Sequence, residues 1–412
     1  MKHPLGCLGI KEGIVMKIVV VGSGGREHAI GWAFYREGVD VIYVKGNGGT
    51  LMHGVNMEEI PWHQKDILVI PGSETYIASG IADGRKNVFS PDSKGALLET
   101  SKAWAKGFMV NHGIPTAEFQ IVDEPTYLET ALSRFEPPYV IKADGLAGGK
   151  GVIITNNKKE ALVKGRKLME GELLEGVKGP VVVEKYLTGT EISAMAIVSG
   201  EEYVLLPFIR DYKRLNDGGI GPNTGGMGAV GPISISSEIV TGIKDIYNKT
   251  LQGLMKKGIV YKGFLYLGLM IGTDGIYVLE YNVRLGDPET EVLVKMNSRA
   301  FVENIINAVE GKKLQDVLPQ CFAADVVVAS KGYPFSPKKG IPIRKEPKGF
   351  AFYGGVSRDK GGRMIVTGGR VFHCMGTGMK YSDAIKEAYQ CASTVEFEGA
   401  FFRKDIGKVI ER

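Results

Sequence analysis

Cysteine is scarce and scattered in this chain of 412 residues. Cys7, Cys321, Cys374 and Cys391 lie far apart, with no CxxC pair and no clustering among only six histidines. That spacing excludes a disulfide framework and a structural zinc site, and it points to a reducing cytoplasm. Long apolar runs are missing too: no uncharged stretch approaches the ~18 residues a membrane helix needs. Blocks of like charge are also missing. With 51 Lys and Arg against 46 Asp and Glu, the formal charge is +5. That balance gives no support to nucleic-acid binding and is compatible with small anionic substrates. Residues 1–15, MKHPLGCLGIKEGIV, are too charged and too short in their apolar part for a signal peptide. They read as a leader, with Met16 directly ahead of the first strand as the expected start.

What is present is an ordinary globular composition, with 44% hydrophobic and 24% charged residues, long enough for about two to four domains. Residues 17–21, KIVVV, form a continuous apolar run of the buried parallel-strand kind. They open into GSGGREHAIGW, so Gly22, Gly24, Gly25 and Arg26 sit at a strand–loop–helix junction suited to an anion. A dinucleotide fingerprint would need glycine at position 27, which is Glu27, so NAD use is not expected. Further strands at 39–44 and 66–70 end in KGNGGT and PGSET. Open α/β sheets place ligands at such strand ends, which makes Asn47 and Glu74 candidates to hold a polar substrate, with simple turn formation the alternative.

Residues 139–155, YVIKADGLAGGKGVIIT, read as strand, glycine-rich loop and strand. Lys142 heads a loop containing Gly148 and Gly149. A phosphate-binding loop and a hairpin with a generous turn both fit this segment, and a Walker A loop does not, because Gly151 follows Lys150. A helix near 91–104 carries Ser101, Lys102 and Trp104, and Asn111–Pro115 marks a boundary. Strands at 117–122 and 181–186, with helices at 125–134 and 158–170, complete a small α+β unit. A hairpin at 192–198 and 203–208 follows. Residues 209–231 hold seven glycines and read as a long functional loop rather than a core element, with Asp211, Lys213 and Arg214 at its root. Helix 236–257 precedes two alternating runs joined by Thr273–Asp274–Gly275, a hairpin signal. In the second run Glu280 and Asn282 share a face and offer two hard oxygen ligands of the kind Mg²⁺ takes, while Tyr281 points the other way. Arg284 continues that face, placed to grip a carboxylate or phosphate. The tail from Ala323, with strands near 350–353 and 363–367 and a helix at 382–393, shows no catalytic constellation. Packing and closure are its expected jobs.

The stretches VVGSGGREHAIGW, SKAWAKGFMVNHGIPTAEF, IKADGLAGGKGVII, GPNTGGMGA, GFLYLGLMI, LEYNVRLGDPET and FRKDIG run in order from Met16 to the C-terminal end. In that order the chain resembles the phosphoribosylamine–glycine ligase family, also called glycinamide ribonucleotide synthetases, of the ATP-grasp superfamily. The resemblance implies an α/β and α+β multidomain fold. Its parts would be a Rossmann-like N-terminal domain (16–100), an ATP-grasp core (101–316) including a lid (117–187), and a small α+β C-terminal domain (320–412). It implies ATP-dependent ligation of glycine to 5-phosphoribosylamine with Mg²⁺ or Mn²⁺, in a cytoplasmic and monomeric enzyme without nucleic-acid or membrane partners.

Carried over residue by residue, Lys102, Lys142, Gly148 and Gly149 would touch ATP phosphates. Glu184, Lys185 and Leu187 would hold the adenine edge, Glu191 the ribose, and Glu280 and Asn282 the metal. Gly22, Gly24, Gly25, Arg26, Asn47 and Glu74 would surround phosphoribosylamine. Asp211, Lys213, Asn223, Thr224, Gly225, Gly226, Arg284 and Asp287 would lie near the reacting centre. The departures are local: Lys45–Gly46 stands where the family has Pro-Gly, and Gly72–Ser73–Glu74–Thr75–Tyr76 replaces its GPEAPL turn.

Overall fold

A computed structural model describes residues 16–147, 151–174 and 176–408. Residues 1–15, expected as a leader, and Gly148, Gly149 and Lys150 of the glycine-rich loop lie outside the described residues.

The first strands form a four-stranded parallel sheet. Lys17–Gly22 lies between Val41–Lys45 and Ile67–Pro71, and Val55–Met57 sits on the outer edge. Alternation along the strands divides the apolar residues. Ile18 and Val20 pack with Ala29, Ile30 and Phe34 of the helix Gly25–Arg36, while Val19 and Val21 join Val69 and Val88 on the other face. Burial on both faces explains why these strands read as unbroken apolar runs.

The glycine-rich stretch belongs to an antiparallel sheet in the order Phe119–Val122, Val181–Glu184, Tyr139–Ala143, Val152–Thr155. Helices Leu128–Leu132 and Lys158–Glu170 cover one face, enclosing Ile141, Ala143 and Val183 in a core of their own. The other face therefore carries Val140 and Lys142, and it is turned toward the next sheet. That central sheet orders Glu202–Leu205, Thr190–Ser199, Lys262–Ile271 and Ile276–Asn282. Leu265 and Leu267 meet Tyr247 and Leu251 of the helix Ser237–Lys256. Phe264 and Tyr266 join Phe301 and Ile305 of the helix Glu289–Glu310 on the opposite side.

The glycine-rich segment 209–231 departs from the loop expected of it. Gly228–Gly231 is a fully buried strand, paired antiparallel with both Arg210–Asp211 and Phe322–Ala329. It is an inner member of the five-stranded C-terminal sheet, which continues through Arg370–Gly378 to Ala351–Tyr353. The glycines permit this because a Cβ on Gly228 would run into the Asp325 carbonyl of the neighbouring strand. The helix Tyr381–Ala392 covers this sheet.

Three units meet around the helix Glu289–Glu310. The Lys295 ammonium lies 3.8 Å from the Phe350 ring centre and 4.9 Å from that of Trp32, and Ser298 donates to Glu37 at 2.7 Å.

Candidate active site

A cleft opens between the antiparallel sheet at 119–184 and the central sheet. Ser101 caps the helix Lys102–Asn111 by accepting from the Trp104 amide at 3.1 Å, and Asp144 accepts from the Ala103 amide at 3.1 Å. These contacts aim the first turn of the helix at the glycine-rich loop, where the Lys102 ammonium donates to the Gly145 carbonyl at 3.1 Å. Lys142 reaches across the cleft to the Leu279 carbonyl and the Glu184 carboxylate, both at 3.0 Å. Lys106, one helical turn beyond Lys102, approaches the same Glu184 oxygen at 3.1 Å and donates to Thr116 at 2.7 Å. Burial pushes Lys106 down to about 8, with Lys142 adding to the effect and Glu184 opposing it. Two lysines on one carboxylate, with Lys102 beside them in the cleft, leave a net positive floor, which suits a polyphosphate.

Glu280 and Asn282 line the same cleft. Tyr281 points the other way and its hydroxyl meets Thr250 at 2.9 Å. Burial alone would raise the Glu280 carboxyl, but Lys142, Lys213, Lys102 and Arg284 together hold it below its ordinary value. An ionised carboxylate and an amide oxygen, neither hydrogen-bonded to another described side chain, are a hard donor pair that fits a divalent cation.

Beyond Asn282 the chain turns toward the N-terminal sheet. Arg284 is held by Glu74 at 3.2 Å and Glu99 at 3.4 Å, and Glu99 also accepts from the Val283 amide at 2.7 Å. Burial would raise Glu74, yet Arg284 and Arg26 keep it low. Arg26 donates to the Leu285 carbonyl at 3.1 Å and pairs with Glu27 at 2.8 Å. Glu27 in turn accepts from the Gly24 amide at 2.7 Å, so a carboxylate of the chain itself occupies this part of the helix N-terminus. Asp211 is pushed up by burial and by Glu289, against Lys213 and Arg370. Lys213 pairs with Glu191 at 2.7 Å.

Most of the residues singled out from sequence converge, and some do not. Lys185 is exposed and its side chain borders a second depression with Glu118, Arg134 and Tyr186, and Leu187 stays outside the cleft lining. Asn47 is a turn residue whose amide is fully engaged. It donates to Ser23 and Tyr353 carbonyls at 3.0 and 2.5 Å and accepts from the Gly49 and Thr50 amides at 2.8 and 3.2 Å. Asn223 is exposed at a strand end.

The tail, expected only to pack and close, contributes charge. Arg370 donates to the carbonyls of Gly225 and Asp287, both at 2.6 Å, and pairs with the Asp287 carboxylate at 3.0 Å. Tyr333 accepts from the Gly225 amide at 2.8 Å, while Thr224 accepts from the Gly226 amide at 3.0 Å. Sequence reasoning missed Lys106, Glu99, Tyr333, Arg370 and His373. Lys106 had a signal in its four-residue spacing from Lys102.

Two facing sheets that close on lysines, with a carboxylate–amide pair on the strand beneath, define an ATP-grasp ligase. Consistent with that class, residues 16–99, 100–290 and 323–409 match the N, ATP-grasp (A) and C domains of phosphoribosylglycinamide synthetase. A curated phosphoribosylamine–glycine ligase from Thermotoga maritima is 50% identical over 399 residues, covering 95% of this chain and 99% of its own length. The crystal structure of a phosphoribosylamine–glycine ligase from the same organism superposes with a TM-score of 0.91 at 47% identity, over 95% of this chain and 100% of that one. A biotin carboxylase domain of Hydrogenobacter thermophilus 2-oxoglutarate carboxylase, solved with MgADP, shares the fold at TM-score 0.70 and 16% identity, over 93% of this chain and 91% of its own. The chain belongs to the phosphoribosylglycinamide synthetase family, the phosphoribosylamine–glycine ligases of purine biosynthesis. Among the described residues no helix is long and apolar enough to cross a membrane.

Proposed function

We propose that this chain joins glycine to 5-phosphoribosylamine at the expense of ATP, giving glycinamide ribonucleotide, ADP and phosphate. The observation that carries the reading is the convergence of Lys102 and Lys106 with Glu280 and Asn282 in one cleft, with Arg284 in the same lining and Lys142 bonded to its Glu184 and Leu279. The lysines take the phosphates. The buried Glu184 oxygen that lacks a donor among the described residues suits the exocyclic amine of adenine, next to the chain at 185–187, and Glu191, paired with Lys213, would take a ribose hydroxyl.

Glu280 and Asn282 would hold Mg²⁺ or Mn²⁺, which when bound neutralises phosphate charge. The glycine carboxylate attacks the γ-phosphoryl group, forming glycyl phosphate and ADP. The amine of phosphoribosylamine then attacks the acyl carbon, forming the amide and releasing phosphate. Arg284 and Lys213 stabilise the negative charge that develops, and Thr224–Gly226 covers the centre against water. Asp211 and Asp287 face the reacting groups, and Gly22–Arg26 with Glu74 receive the amine substrate. Positioning and charge account for such a reaction without a covalent enzyme intermediate. The free thiols at Cys321, Cys374 and Cys391 accord with a cytoplasmic enzyme, and we read it as a monomer.

The test supplies the purified chain with ATP, glycine, Mg²⁺ and phosphoribosylamine formed in situ from ribose 5-phosphate and ammonia. Glycinamide ribonucleotide should appear in step with ADP. ADP release that requires some other amine would overturn the assignment.

A further inference from the structure

His373 lies on the strand Arg370–Gly378 and is 1% exposed, yet three carboxylates surround its ring. Its Nδ1 is 2.7 Å from Asp325 on the adjacent strand and 3.6 Å from Glu291. Its Nε2 is 3.6 Å from Asp287. Among the described residues, neither oxygen of Glu291 has a hydrogen-bond donor, nor does one oxygen of Asp325, and Asp287 Oδ1 has ion-pair contacts but no hydrogen bond. The helix Gly25–Arg36 closes the remaining side, so tightly that a Cβ on Gly25 would stand 2.6 Å from both His373 Nε2 and Glu291 Oε1.

Buried carboxylates at this density need a cation. Arg370 supplies one, at Asp287. A neutral imidazole could donate from one nitrogen only, leaving either Asp325 or Asp287 facing a lone pair.

We propose that His373 is a positioning residue: a buried imidazolium, oriented by Asp325, that together with Arg370 fixes Asp287 so that its second oxygen faces the Gly22–Arg26 loop. The argument rests on the amine-site reading given above, because that is where phosphoribosylamine is placed. Asp287 Oδ1 is the atom turned to Arg370 and His373. Oδ2 lies 3.7 Å from where a Cβ of Gly24 would be, so it is the oxygen left to accept from the amine.

The electrostatics agree. Burial lowers His373, but Asp325, Glu291 and Asp287 outweigh it and bring the ring up to about 9. Facing it from the other elements are Glu291 and Asp287, whose own carboxyls move in opposite directions. Burial, then Asp287, push Glu291 well up. Burial would raise Asp287 too, but Arg370, His373 and Arg26 hold it down. His28 on the helix Gly25–Arg36 stays neutral under burial and the charges of His53 and His373. The sign follows. A histidine raised above its unfolded value keeps its charge fully below about 6.5 and loses it as pH rises through about 9.

The test has two arms on the full-length chain. Nitrogen-15 NMR of histidine rings in the wild-type protein should show one of the six histidines protonated at both nitrogens at pH 8. If all six are neutral there, the proposal is overturned. In kinetics, His373→Gln and Asp325→Asn should each raise KM for phosphoribosylamine about ten-fold while KM for ATP stays within about two-fold. The alkaline limb of kcat/KM for the amine should also move to lower pH in Asp325→Asn. A folded His373→Gln enzyme with wild-type amine KM and pH profile would overturn the proposal. If His373→Gln does not fold, Asp325→Asn and the NMR arm decide. One equivalent of Zn²⁺ or Mn²⁺ retained after dialysis, and lost in His373→Gln, would overturn the imidazolium in favour of a metal held by Asp287, Glu291 and His373. Wild-type protein that makes no glycinamide product would instead sink the amine-site reading, and the NMR arm would still report the ring's charge.

Discussion

Lys106 and Glu184 have side chains 3% exposed, and Lys142 is 8% exposed, so their charges are felt at low dielectric. Because burial brings Lys106 down to about 8, its charge fades as pH rises through that value. ATP affinity should therefore fall between pH 7 and 9 in the wild-type enzyme. Lys106→Met should weaken ATP binding about ten-fold at pH 7 and remove the pH dependence, as read by calorimetric titration. An equally steep dependence in the variant would assign the titration to another group. Glu280 makes a different prediction. Its surrounding lysines keep it ionised, so Glu280→Gln should lower turnover about ten-fold or more at limiting Mg²⁺. Wild-type rates at limiting Mg²⁺ would remove Glu280 from the metal's ligands.

These residues also mark what could be read without coordinates. Lys142, Glu280 and Asn282 were legible because a strand alternates and each lies within a few positions of its glycine-rich or polar context. Lys106 follows the same logic on a helix, since four residues from Lys102 is one turn. Asn47 was half legible, because a turn residue and a ligand look alike until its amide partners are seen. Arg370 and His373 were not legible at all. They reach Asp287 across more than 80 positions of chain, and no local period records such a meeting.

At the scale of elements, most of the strands and helices appear where apolar period and glycine punctuation place them. Tyr139–Ala143 and Lys158–Glu170 coincide with the spans expected, the helix being capped by Asn157 and ended by Gly171 at φ 82°. Two exceptions stand out: the helix expected near 91–104 is two helices, Leu97–Thr100 and Lys102–Asn111, broken at the extended cap Ser101, and at Gly228–Gly231 composition argued for a loop while tertiary pairing made a buried strand. Its sheet depends on another close approach. A Cβ on Gly376 would meet the Ala384 carbonyl and the Ala388 amide of the helix Tyr381–Ala392. Gly376→Ala should therefore cost about 1–3 kcal/mol by lifting that helix from the sheet. Urea denaturation checks this; an unchanged midpoint would mean that the helix yields freely.

At the scale of the whole molecule, a histidine pair ties the N-terminal sheet to the tail. The Tyr353 amide donates to His28 Nδ1 at 3.0 Å, so His28 carries its proton on Nε2 and donates to His53 at 2.8 Å. Burial lowers both rings, His53 to about 4. The unfolded chain takes up these protons near 6.5, before the folded one does, so stability falls as pH drops from about 6.5 through about 4. For the partly exposed His53, solvent screening reduces its share to roughly 1–2 kcal/mol. Melting temperature should fall across that range, and His53→Gln should flatten the fall. A variant as acid-labile as the wild type would point to other groups.

The glycine-rich segment 209–231 is a span anchored at both ends. Its far end is woven into the C-terminal sheet, and Arg370 and Tyr333 tether its middle. Such a span has little freedom of its own. The opposite wall, the sheet at 119–184, is held differently. That sheet has a separate core and reaches the rest of the cleft through Lys102, Lys106, Lys142 and their partners. The side chains proposed to grip ATP are thus already engaged with protein groups, and a nucleotide that takes them must exchange those contacts for its own.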